Sequence, residues 1–417
     1  MTAKTAPSPR LTLTFTFMTV LLSIIGFGIV IPVMPDLLVE VTGQDVSSAA
    51  SLGGWLYFTY ALAQFAMSPI LGGLSDRFGR RPVILLSLAA YSADFLLMAL
   101  APSYAWLVFA RFVSGATAAT YATANAIVAD ITPPERRSAN FGLLGAAFGL
   151  GFIIGPIIGG IFGEYGPRAP FFAAACLGVV NVVFGYFALP ETLAKRRPFD
   201  IRRANPLGSL LSVGRLSIVR TVLVAYFLMQ FAHHALPAVF AYFAKFKYGW
   251  SPLEIGYALT FVGVTAALVQ GGLTRRIIPA IGEAKSVLIG ATAMMISFAG
   301  YAFLSPTGAW IYLWIAVGAF GGLMMPAMQG IMSTAVPSDG QGELQGAISS
   351  VMSLTMMSSP LLMTAVFTYF TSGAAGMIFP GAPLAIGLVC LAASMVPFVV
   401  IVGKARQEAQ ASPGVSA

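Results

Sequence analysis

Charge is what this chain of 417 residues has least of. Asp, Glu, Lys and Arg make up 9% of it against 58% hydrophobic residues, and the mean hydropathy is +0.84. A soluble domain carries about 25% charged residues, so this chain cannot dress a water-facing surface. Cysteine is nearly absent too: Cys176 and Cys390 both lie in apolar runs, which excludes a disulfide framework and a cysteine-based metal site. His233 and His234 are the only histidines, and no cluster of metal ligands accompanies them. The chain has no Gly-rich phosphate loop and no nucleophile–His–acid set. An enzyme, an ATP-driven pump and a nucleotide cofactor are therefore not expected.

What fills the chain instead is long apolar runs. A pass for stretches of about 20 apolar residues predicts twelve helices, near 12–34, 51–72, 82–101, 105–129, 139–162, 170–190, 219–243, 253–273, 286–304, 309–333, 343–370 and 379–403. The first flows into Pro32 and Pro35 without a small-residue cleavage site, so it reads as a retained helix, not a removed signal peptide. The polar stretch 191–218 holds Lys195, Arg196, Arg197, Arg202, Arg203 and Arg215 and divides two six-helix bundles, 1–190 and 219–417.

The net charge of +8 is placed, not spread. With an even number of spans both termini share a side. That side carries Lys4, Arg10, Arg77, Arg80, Arg81, Arg136, Arg137, the central cluster, Arg275, Arg276, Lys285, Lys404 and Arg406. The opposite segments carry only Arg168, Lys245 and Lys247, and the first of them holds Asp36, Glu40 and Asp45. Positive residues stay cytoplasmic, so both termini and the central loop are expected there, and no nucleic acid is implied as partner.

Three motifs stand out. Helix 5 reads Gly142, eight residues, Gly151, three residues, Gly155-Pro156, two residues, Gly159-Gly160. Glycines at 151, 155 and 159 share one helix face and let a neighbour approach closely; a generic small-residue dimer face is the alternative reading. The loop after helix 2 reads Gly72-Gly73-Leu74-Ser75-Asp76-Arg77-Phe78-Gly79-Arg80-Arg81. Beyond a simple basic turn, its carboxylate and guanidinium groups can form a cytoplasmic latch between the two halves, with Asp130 at the end of helix 4 as partner for Arg80 or Arg81. A degraded copy, Gly272-Leu273-Thr274-Arg275-Arg276 then Gly282-Glu283-Ala284-Lys285, follows helix 8 and argues for an internal duplication. Helix 4 carries Leu107, Arg111, Gly115, Ala118 and Ala119. Arg111 would lie roughly 9 Å below the outer surface at 1.5 Å per residue, and Asp94 on helix 3 about 18 Å above the inner edge of a ~30 Å core. They can meet. The pair is either a static neutralisation of two buried charges or a protonatable carboxylate sensed by Arg111, and the sequence leaves both open.

Together these motifs resemble those of the major facilitator superfamily, and the glycine-rich helix 5 resembles its antiporter signature. Ile31-Pro32-Val33-Met34-Pro35, Ala61-Leu62-Ala63-Gln64, Phe148-Gly149-Leu150-Gly151, Leu189-Pro190-Glu191-Thr192, Pro326 to Ser333 and Leu344-Gln345-Gly346 narrow the resemblance to tetracycline/proton antiporters of the twelve-helix drug-efflux branch. The resemblance implies an all-α integral membrane protein of two pseudo-symmetric six-helix bundles. It implies proton-coupled efflux of tetracycline-like or other amphipathic compounds by alternating access, as a monomer in the bacterial inner membrane, with the proton gradient as energy source and no cofactor or metal. Partners are then a lipophilic small molecule, protons and the bilayer. Helices 1, 4, 7 and 10 would line the centre and 2, 5, 8 and 11 flank it, giving Gln64, Tyr121, Asn125, Phe148, Phe152, Gln230, Gln270, Met324, Met325 and Gln329 as cavity candidates. The chain departs from the family at two places: Ser23 in helix 1 and Met294 in helix 9 replace acidic residues. Proton coupling would then rest on Asp94 with Arg111, or on His233 and His234, which point about 100° apart and otherwise read as packed between helices. An uptake symporter or metabolite exporter on the same fold is the alternative function, and a non-transporting membrane sensor a third.

Overall fold

In the computed structural model, which describes residues 9–133, 136–193, 196, 217–334, 336 and 341–411, the twelve expected helices are all present. Most of the expected linker 191–218, with its basic cluster, lies outside the described residues. We number the helices by span. α1 runs Pro9–Val30 and continues through a 3-10 turn, Ile31–Val33, into Met34–Thr42. α2 is Val46–Phe78, α3 Arg80–Ala99, α4 Tyr104–Ala116 with Thr120–Ile131, α5 Arg137–Gly163 and α6 Ala169–Ala188. α7 is Ser217–His233 with Ala235–Tyr248, and α8 joins Pro252–Ala266 to Thr274–Ile281 through a π turn at Ala267–Leu273. α9 is Glu283–Phe303, α10 Ala309–Ala319 with Met324–Thr334, α11 Gln341–Thr371 and α12 Ala382–Ala411.

Most helices outrun the apolar stretches, because backbone hydrogen bonding persists into the polar interface until a cap ends it; α3, α6 and α9 instead stop one or two residues short at their C-terminal ends, and α12 begins three residues late. Gly43, at φ 68°, closes α1 by donating to the Val39 carbonyl, and Asp45 opens α2 by accepting from the Ser48 N–H. Ten of the twelve are long and apolar enough to cross a bilayer among the described residues. α2 and α4 are the exceptions, and α4 is broken at 117–119, where the Thr117 hydroxyl bonds the Val113 carbonyl at 2.8 Å. Large apolar side chains stay exposed around the outside, among them Leu86, Val179, Phe187, Val389 and Val396. That is the burial pattern of helices whose outer faces meet lipid.

The chain forms two compact units, 1–205 with 244–263 and 206–243 with 264–417. In the first, α1 packs on α5, α3 on α6 and α2 on α4. Val20, Ile84, Ala124, Val128 and Leu144 form a buried cluster where α1, α3, α4 and α5 meet. In the second, α7 packs on α11 and α12, and α9 on α10 and α12. The same pairings recur six helices later, which is the duplication that the two related loops pointed to. Small residues set the spacing there: Gly300 accommodates the Trp314 ring, and Ser297 donates to the Trp314 carbonyl at 2.8 Å.

Candidate functional site

The first unit builds a charged centre inside the span. α4 can approach α2 because Gly115 has no side chain; a Cβ there would lie 3.0 Å from the Tyr60 carbonyl carbon. That approach sets the Arg111 guanidinium 5.7 Å from the Tyr60 ring centroid and brings it into an ion pair with Asp94 of α3. Asp94 is fully buried and Arg111 nearly so. The second oxygen, Asp94 Oδ1, has no hydrogen-bond partner among the described residues. A proton could sit on it without displacing Arg111.

Beside this pair lies a cavity of about 140 Å³ lined from α1, α2, α3 and α4, including Ser23, Phe27, Tyr60, Gln64, Tyr91 and Tyr121. Gln64 and Tyr121, two of the cavity candidates, are among its lining residues. Asn125 sits one turn further on and donates to the Tyr121 carbonyl at 2.9 Å. Phe148 is exposed and Phe152 half-buried on α5, and neither lines this cavity. Ser23, in the position of the missing helix-1 acid, donates to the Thr19 carbonyl at 2.9 Å and accepts from Asn181 at 3.2 Å. A neutral amide–hydroxyl network stands there.

In the second unit, Gln230 is buried, Gln329 exposed and Met325 half-buried. Gln270 is exposed in the π turn of α8, against Gly322 of α10. Met324 corrects the sequence reading. It is fully buried, and its Cβ lies 3.3 Å from where a Gly290 side chain would begin. It packs α10 onto α9 and does not line an open wall. Met294 is likewise buried, its sulfur 2.9 Å from the corresponding point on Gly321. His233 is exposed, His234 half-buried at the break of α7, and their ring centroids are 6.0 Å apart.

In the loop between α2 and α3, Arg80 meets Asp130, and all the partners of the loop lie in the first unit. Arg80 bonds Asp76 at 2.6 Å, Asp130 at 3.1 Å and the Ser75 hydroxyl at 3.2 Å. Arg81 instead reaches the Tyr186 carbonyl of α6 at 2.5 Å, and Arg77 is exposed over the Phe78 ring. Gly72 is exposed with open space about it. Gly79, at φ 115°, turns the chain where a side chain would strike the Glu191 carboxylate. Glu191 caps α3 by accepting from the Arg80 N–H at 2.9 Å and the Arg81 N–H at 3.2 Å. Arg80→Ala should lower the unfolding temperature of the detergent-solubilised protein, at a cost of about 1–3 kcal/mol for charge-assisted bonds near a surface. Arg80→Lys should recover only part of it, because one compact ammonium cannot reach acceptors that the guanidinium meets from two separate nitrogens. An unchanged unfolding temperature in both would mean the latch does not stabilise the fold.

The helix-5 glycines divide by face. Gly151, Gly155 and Gly159 meet α1 at Ile24, Ile25, Gly28 and Ile29, mostly through backbone atoms. Gly160 meets Pro252 and Leu253 at the start of α8, and the Pro156 carbonyl lies 2.5 Å from where a Gly256 side chain would begin. Gly142 contacts nothing. Nearby, Asp36 pairs with Lys245 at 2.5 Å, Arg168 with Glu40 at 2.6 Å, and Glu164 accepts from the Leu253 N–H at 3.3 Å. Sequence reading named Asp36, Glu40, Arg168 and Lys245 but not their pairing, and Glu191 but not its cap; it missed Glu164, Asn181 and Gly28. Asn181 had a usable signal, as a lone amide inside an apolar run.

Residues 16–360, and in a second match 222–416, fit the family described as Major Facilitator Superfamily. The chain is 39% identical over 379 residues to the tetracycline resistance protein, class C, of Escherichia coli, covering 90% of this chain and 94% of that protein. Its identity to the class B protein of Escherichia coli is 37%, over 84% and 86% of the two chains. The human organic anion transporter MFSD10 (TETRAN) superimposes with a TM-score of 0.68 at 24% identity, over 95% of this chain and 100% of that one.

Proposed function

The chain belongs to the major facilitator superfamily, a multi-pass membrane transporter and not an enzyme, and we propose that it exports tetracycline-like or other amphipathic drug-like compounds in exchange for protons. The observation that carries the coupling is the Asp94–Arg111 pair, fully inside a span and beside a cavity. Asp94 is the one carboxylate of the chain placed away from the ends of an expected span. A carrier driven by protons needs a group inside the membrane whose charge changes during its cycle. With Asp94 ionised, Arg111 is neutralised. With Asp94 protonated, the pair holds a net positive charge, and the packing of α3 against α4 changes its balance.

Alternating access then uses the glycine-faced α5 as the sliding element and the Arg80 cluster as a latch on the cytoplasmic side. Both termini lie in the cytoplasm of a bacterial cell, by the distribution of basic residues. A monomer is the expected form, since the cavity of the first unit takes all its walls from that unit's own helices. The decisive experiment uses everted membrane vesicles with an internal pH reporter. Adding tetracycline, or a panel of lipophilic cations and neutral drugs, should raise the internal pH as protons leave in exchange. Silence across the panel would reject drug antiport and favour uptake of a different solute.

A further inference from the structure

The cavity in the first unit is small and, unusually for one beside an ion pair, electrically neutral. Its volume of about 140 Å³ is close to that of an engineered apolar cavity of about 150 Å³ that holds one benzene. None of the thirteen residues lining it is charged. Phe27, Tyr60, Tyr91 and Tyr121 supply ring faces and edges. Some of the polar groups already spend their hydrogens on the backbone: Ser23 on Thr19, Thr117 on Val113 and Tyr91 on the Ser23 carbonyl at 2.9 Å. The hydroxyls of Tyr60, Ser87 and Tyr121 and the Gln64 amide are left to face an occupant.

The nearest carboxylate is not available. Asp94 is fully buried, absent from the lining and paired with Arg111. Arg111 in turn lies over the Tyr60 ring, so the carboxylate behind the wall is already neutralised. Divalent cations such as Mg²⁺ and Ca²⁺ are held by oxygen ligands, with carboxylates prominent among them. Among the described residues no group of three His, Cys, Asp or Glu could hold a metal. A drug carrying a chelated cation would meet hydroxyls and an amide, and would lose hydration without a compensating anion.

We propose that this cavity is the subsite for one uncharged, hydroxyl-bearing aromatic ring, and that the substrate enters it without a bound divalent cation. The proposal rests on the drug-export reading and names the kind of substrate that it carries. Ring edges and faces suit aromatic stacking, and the free hydroxyls and amide suit phenol or alcohol groups on that ring.

The test measures binding of tetracycline, which chelates Mg²⁺, and of chloramphenicol, a neutral aromatic diol, to the purified full-length protein. Each is titrated with Mg²⁺ and with EDTA. Vesicle proton release with the same two compounds runs in parallel. Equal or tighter binding in EDTA for whichever compound binds is the expected result. Ser87→Ala combined with Tyr121→Phe should weaken that binding about tenfold by removing two hydrogen bonds. Ser23→Asp, which places a carboxylate on the cavity wall, should make binding stimulated by Mg²⁺. Binding or proton release that requires Mg²⁺ in the unmodified protein overturns the neutral-subsite proposal and leaves the exporter standing. Proton release unaffected by the double substitution moves the subsite elsewhere and overturns it too. No binding and no proton release with either compound rejects the export reading itself.

Discussion

Asp94→Asn should abolish substrate-driven proton release, to the level of vesicles lacking the protein, while leaving the protein inserted. Asparagine has the shape of aspartate and keeps an acceptor for Arg111, but it has no proton to exchange. The two readings of the buried pair separate here. If the pair is only structural, breaking it costs stability, about 3–5 kcal/mol where one buried charge is left unpaired. Proton release per folded molecule would then survive. If Asp94 carries the proton, release per folded molecule disappears whatever happens to stability. The measurement is therefore normalised to folded protein, counted by detergent-phase gel filtration. Combining Asp94→Asn with Arg111→Gln removes both charges and should recover part of the unfolding temperature without recovering proton release. Proton release at the normal level in folded Asp94→Asn would shift the coupling role to His233 and His234, the two histidines of α7.

Much of this architecture is legible in the sequence, because in a membrane composition dictates structure. Apolar runs long enough to cross the bilayer must be helical, since no water can satisfy an open backbone. Their number followed directly. Contacts carried by periodicity were legible as well: glycines four apart on α5 share a face, and that face lies on α1. Arg80 found Asp130 because both stood at helix ends on one side. What stayed hidden were contacts set by depth and helix rotation. Met324 and Met325 are neighbours in sequence, yet one is core and the other half-exposed, and no pattern in an all-apolar helix tells which way it turns. Asp36 and Lys245 are about two hundred residues apart, and only the packing of α8 beside α5 brings their helix ends together. The breaks in α4 and α7 fall among Ser114, Thr117 and Thr120 and at His234, three residues before Pro237, and hydropathy averaged over a whole span does not register them. The departures at Ser23 and Met294 were legible as missing charge, but not that Asn181 and Gly321 would fill their surroundings.

Gly159→Ala and Gly142→Ala should part company although both glycines belong to one motif. A Cβ on Gly159 would run into the Ile29 carbonyl oxygen, with its carbon at 2.7 Å and the Ile29 Cα at 2.8 Å. Those are backbone atoms of α1, held by that helix's own hydrogen bonds, so the two helices must separate. Overfilling a packed site costs about 1–3 kcal/mol and more where backbone has to move, and helix association in lipid depends on this close approach. Gly159→Ala should thus lower the unfolding temperature in detergent markedly and reduce the amount recovered from membranes. Gly142 has nothing within 4 Å of its would-be Cβ, and alanine is the better helix former by about 1 kcal/mol. Gly142→Ala should be neutral or slightly stabilising in the same measurement. The pair of variants also separates packing from transport. If Gly142→Ala keeps its stability and still loses proton release, glycine there serves the movement of α5. If both variants destabilise equally, the division of the motif into a packed face and an open end is wrong. If neither does, α1 and α5 do not depend on their closest approach.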